Sequence, residues 1–76
     1  MERQLPILTG PEVVFGFELF GWQTMWLNGS HFVMTKKNEL ALLLIPDESE
    51  ISRGMLRTLI RAAGLTAGEF IDTLNV

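Results

Sequence analysis

The dipeptide Asn28-Gly29 stands between two runs rich in strand-forming residues, and it constrains this chain more than any other feature. Two-residue loops of this kind take turns whose twist matches that of antiparallel strands, so they predict a tight hairpin. The stretch from 22 to 45, WQTMWLNGSHFVMTKKNELALLLI, reads as a three-stranded antiparallel meander. Strand one is expected at about 22–27 and strand two at about 30–35. An Asn-Gly loop pairs Leu27 with Ser30, Trp26 with His31, Met25 with Phe32 and Thr24 with Val33. A second turn centred on Lys37-Asn38 pairs Thr35 with Leu40, Val33 with Leu42 and His31 with Leu44.

That register sorts the side chains, because directly opposed residues share a face. One face holds Met25, Leu27, Phe32, Met34, Ala41, Leu43 and Ile45, and is expected to lie under helices. The other holds Trp22, Thr24, Trp26, His31, Val33, Thr35, Leu40, Leu42 and Leu44. It is very apolar for a face left to water, and such patches mark binding surfaces. A partner protein or a second copy of the chain is the expected occupant.

Helices flank the meander. Thr9 and Glu12 have the spacing of a capping box, with Pro11 in the first turn, so a helix is expected over 10–20 with Gly21 as its terminator. Pro46 ends the third strand, and the acidic connection Asp47-Glu48-Ser49-Glu50 follows. Ser52 caps a helix over 53–63 whose apolar arc is Met55, Leu56, Leu59, Ile60 and Ala63, with Gly64 at its end. Thr66 and Glu69 repeat the capping-box spacing before a short helix at 67–74 carrying Phe70, Ile71 and Leu74. The order is α-β-β-β-α-α, which predicts an α+β layer fold with the helices on one face of the sheet. A double-stranded-RNA-binding domain has this order. The chain reads as one domain over 1–76.

Composition narrows the chemistry. There is no cysteine and only one histidine, so thiol nucleophiles, disulfides and thiolate or multi-histidine metal sites are not expected within the chain. No cofactor motif is present. The net charge of −3 opposes tight non-specific binding to phosphates, although local basic patches remain. The longest strongly apolar run, 40–45, is too short to span a bilayer, and MERQLPIL has no long apolar signal-peptide core. A cytoplasmic protein is the expectation.

The candidate site residues follow. His31, at the start of strand two, is the one side chain suited to taking or giving a proton near neutral pH. Gly29 and Ser30 beside it can let a phosphate approach the turn or simply shape it. Lys36 and Lys37 lie in the second turn. Arg53, Arg57 and Arg61 recur every four residues, drifting only about 40° each around the helix, and form one basic stripe. Each of these cations can hold RNA backbone, and the arginine fork suits carboxylates equally. Trp22 and Trp26 are two ordinary strand turnovers apart and point the same way. They can stack bases or, with Val33 and Leu42, form a partner interface, which ranks first.

Several of these segments carry a resemblance. Leu5-Pro6, Gly21-Trp22, Gly29-Ser30-His31, the helix SRGMLRTLIRAAGLT beginning at Ser52, and Glu69-Phe70 resemble the HicA family of toxin mRNA interferases. The resemblance runs from Leu5 to Leu74. It implies a dsRBD-like fold, metal-independent endoribonuclease activity on mRNA with His31 as the catalytic residue, and neutralisation by a HicB-type antitoxin. The chain departs from the family at WQTMWLN, residues 22–28, which has no positive charge and carries Trp26 where the family commonly has arginine. A non-catalytic member that keeps the fold and binds protein or RNA is the alternative.

Overall fold

The computed structural model describes residues 4–74, with the side chains of residues 26–28 outside that description. The elements run α1 (Gly10–Glu18), β1 (Gln23–Asn28), β2 (His31–Thr35), β3 (Leu43–Pro46), α2 (Arg53–Ala62) and α3 (Ala67–Leu74). The sheet is antiparallel in the order β1-β2-β3, and the helices gather on one of its faces, as an α+β layer fold requires.

Each helix begins where the sequence says it should. Thr9 Oγ1 accepts from the Glu12 amide at 3.1 Å while the Thr9 amide donates to Glu12 Oε1 at 2.8 Å, closing the capping box of α1. Thr66 and Glu69 form the same pair of bonds at α3, and Ser52 accepts from the Met55 amide at α2. Such caps satisfy amides that the helix itself leaves unpaired, at about 1 kcal/mol each. At the other end of α1, the Gly21 amide reaches the Glu18 carbonyl and the Trp22 amide the Phe17 carbonyl. This is a Schellman closure, made possible by Gly21 at φ +94°. It stops α1 at Glu18, two residues short of the expected end. An equivalent pair of bonds closes α2 around Gly64.

The sheet departs from the expected register in three places. Asn28 pairs with His31, Leu27 with Phe32 and Trp26 with Val33, so the first turn is centred on Gly29-Ser30 and not on Asn28-Gly29. Gly29 takes φ +62° alone, which is the demand of a turn with glycine in its first central position. One step further, Thr24 pairs with Met34, leaving Met25 as an unpaired extra residue, a β-bulge. In the second hairpin the turn is centred at Lys37-Asn38 as expected, with Asn38 at φ +68° and the Glu39 amide on the Lys36 carbonyl. The ladder does not start there. Residues 39–42 stay outside it, β3 begins at Leu43, and Val33 faces Leu44, not Leu42. This slip is two residues, so β2 and β3 keep their expected faces.

The core therefore contains Met34, Leu43 and Ile45 from the covered face, with Phe32 half-buried beside them. Leu5, Val13, Phe17, Leu56, Ile60, Phe70 and Ile71 close over them from the lead-in and the helices. Phe17 and Phe70 meet with ring centroids 4.9 Å apart at 50°. Their approach depends on Gly16, since a Cβ there would sit 2.6 Å from Phe70 Cζ. Met25, Ala41 and Met55 are exposed, which removes all three from the apolar surfaces first assigned to the core.

Candidate functional site

His31 opens β2 immediately after the Gly29-Ser30 turn and is exposed on the uncovered face. Its Nδ1 lies 3.2 Å from Ser30 Oγ. The contact admits two arrangements: Nδ1–H donating to the serine oxygen, which frees Nε2 as a base, or the hydroxyl donating to Nδ1, which leaves Nε2–H as a donor. The turn is held to the end of β3 by the Asp47 amide on the Ser30 carbonyl at 2.7 Å. Among the described residues, and apart from Gly29's two chain neighbours, no atom stands within 4 Å of the place where a Gly29 Cβ would be, so the turn has room beside the imidazole.

The rest of the uncovered face is apolar. Leu44, opposite Val33, is 53% exposed, Leu42 57% and Met25 58%, while Val33 is half-buried. Leu40 projects fully from the loop between β2 and β3. Lys36 and Lys37 stand at the end of β2 away from His31; Lys36 is half-buried with its stem passing over Gly21, and Lys37 is exposed.

Trp22 does not belong to this face. It is 2% exposed and sits in the core, with its indole Nε1 buried and without an acceptor among the described residues. The bulge at Met25 is the physical reason. Strand side chains alternate, so one extra residue inverts the facing of everything before it, and Trp22 turns inward. The expected wall of two parallel tryptophans is therefore not formed by Trp22. The side chain of Trp26 lies outside the described residues; its backbone pairs with Val33, not with His31 as expected.

Arg53, Arg57 and Arg61 are exposed along α2, on the helical layer. Arg53 and Arg57 line a hollow of about 420 Å³ together with Gln4, Leu5, Ala67, Gly68 and Ile71. Arg57 and Arg61 line a second, about 170 Å³, with Ile60, Leu65, Thr66 and Ala67. Neither hollow includes His31, Lys36 or Lys37, so the structure does not bring the arginine stripe and the imidazole into one site. The i, i+4 spacing made the stripe legible. The contribution of Gln4, Leu5 and Gly68 was not, because it depends on how the lead-in and α3 pack beside α2. Among the described residues no group of three histidine, cysteine, aspartate or glutamate side chains is placed to hold a metal ion, and no helix is long and apolar enough to cross a membrane.

Comparison with protein-family models gives no match to this chain, and comparison with curated proteins gives none either.

Proposed function

We propose that the chain is a HicA-like endoribonuclease, the toxin of a toxin–antitoxin pair, acting on mRNA in the cytoplasm through His31. The observation that supports it is the exposed imidazole beside an open glycine turn, with Nδ1 engaged by Ser30 Oγ and Nε2 left for substrate. With Nδ1–H donating to Ser30, Nε2 takes the proton of an RNA 2′-hydroxyl. The 2′-oxygen then attacks its own phosphorus and the bond to the 5′-oxygen breaks. That oxygen leaves with a proton from water, and the products are a 2′,3′-cyclic phosphate and a 5′-hydroxyl. Gly29 and Ser30 offer a phosphate room and a hydroxyl, and Lys36 and Lys37 offer charge at the far end of β2.

Cleavage of single-stranded RNA in EDTA tests this reading. Wild-type protein is expected to cut, leaving 5′-hydroxyl ends. His31→Ala is expected to lose about 100-fold or more in rate, the usual contribution of a positioned acid–base group, with its circular dichroism unchanged. Cutting that survives H31A sinks the assignment.

A second reading is favoured by the apolar uncovered face and the uncharged first strand: a non-catalytic member that binds another protein there. It predicts no cleavage by the pure chain, yet a stable complex lost when Leu44 is made polar. In the nuclease reading a HicB-type antitoxin covers the same face and shields His31.

A further inference from the structure

The helical layer carries a second candidate surface, on the other side of the sheet from His31. Three of the chain's six basic residues lie along α2, in a protein whose net charge is −3. They are not scattered on a convex surface. The two hollows they line adjoin through Arg57 and Ala67, and make one groove between the lead-in, α2 and the start of α3. Buried Leu5, Ile60 and Ile71 give it an apolar floor. Arg53 is already oriented: its Nε donates to the Leu5 carbonyl at 2.6 Å, which fixes the plane of the guanidinium and leaves its terminal nitrogens to act outward. Among the described residues the guanidinium groups of Arg57 and Arg61 have no hydrogen-bonded or ion-paired partner. The Glu69 carboxylate accepts from the Thr66 amide through Oε1 and lines neither hollow.

We propose that this groove binds an extended acidic segment of a partner protein, with Arg53, Arg57 and Arg61 taking successive carboxylates from one face of that strand. Four helical residues advance about 6 Å. Alternate side chains of an extended peptide repeat at about 6.6 Å. The difference is small against the length of an arginine, so an acid at every second position meets the stripe in register. The guanidinium fork binds a carboxylate with two parallel hydrogen bonds, and the apolar floor packs against the methylene stems of those same side chains, while the intervening ones point away from the groove. Single-stranded nucleic acid fits less well. It is held by charge together with aromatic platforms for its bases, and among the described residues no aromatic side chain lines either hollow.

The test uses the full chain, a fluorescent peptide of alternating glutamate and threonine, its glutamine counterpart, and a single-stranded oligouridylate, followed by anisotropy. The glutamate peptide is expected to bind, weakening as salt is raised, and the glutamine peptide is not. Arg57→Ala (R57A) and Arg61→Ala (R61A), each checked by thermal melting, are expected to lower peptide affinity about tenfold. Arg57→Lys should recover only part of the loss, since lysine keeps charge without the fork. His31→Ala should leave peptide affinity as in wild type, which separates this result from the outcome of the cleavage assay. Peptide affinity indifferent to R57A and R61A overturns the proposal. So does a loss on R57A that falls on the oligouridylate and spares the peptide, which makes the groove a nucleic-acid surface. A concentration-dependent rise in mass that R57A abolishes also overturns it, since a second copy is then the occupant.

Discussion

At the scale of single residues, Trp22 illustrates how a side chain's position can oppose its chemistry. Among the described residues it is the largest fully buried side chain, and its indole N–H has no acceptor there. Burying an unpaired donor costs about 1–3 kcal/mol, which the ring's apolar area must outweigh. Trp22→Ala is therefore expected to destabilise by about 3–5 kcal/mol. Trp22→Phe should cost clearly less, because it deletes the orphaned donor along with part of the ring. Urea unfolding of the two variants checks the order, and equal losses would contradict it. His31 shows the opposite relation: an ordinary strand residue by pattern, exposed on the uncovered face beside Ser30 Oγ. Its exposure and its neighbour Ser30 were legible from the turn, while its cross-strand partner was not. The sequence placed Trp26 across from it, and Asn28 is there.

At the scale of elements, the helices were readable almost to the residue and the strands were not. Helix ends are written locally, in Thr9 with Glu12, in Ser52, and in Thr66 with Glu69, and the caps form as spaced. Strand register depends on pairing across the sheet. Nothing within WQTMWLN marks Met25 as an extra residue, since it contains neither glycine nor proline. Residues 40–42, after the Lys37-Asn38 turn, read as strand from their leucines, yet they stay outside the ladder. Gly16 is a local oddity with a tertiary cause. In an isolated helix, glycine to alanine is favourable by about 0.5–1 kcal/mol. Here the new Cβ would lie 2.6 Å from Phe70 Cζ and 2.9 Å from Cε1, in a core where α1 meets α3. Gly16→Ala is expected to destabilise by about 1–3 kcal/mol. Combined with Phe70→Leu it should cost less than the two changes summed, and a double-mutant cycle in urea reads the coupling.

At the scale of the whole molecule, two surfaces of different character face opposite ways. One is the apolar sheet face around Leu44 with His31 at its end; the other is the arginine groove on the helical layer. The general distribution of these features was visible in the sequence, because β2 and β3 keep their parity and the arginines keep their i, i+4 spacing. Their separation was not visible, since it follows from where the lead-in and α3 pack. An exposed leucine contributes little to folding, so Leu44→Lys is expected to change stability by less than about 0.5 kcal/mol. It should abolish any association through the sheet face, measured as mass against concentration by light scattering. A large drop in stability would mean that Leu44 is packed rather than open.

The unpaired Met25 has a last consequence. Since Met25 lies outside the pairing, position 25 should accept many replacements. Losing its codon should be tolerated too: Thr24 stays opposite Met34 and Trp26 opposite Val33, now in an unbroken ladder, and Trp22 still faces inward. Adding a codon is the harmful change, because one more residue reverses the facing of Trp22 and empties the middle of the protein.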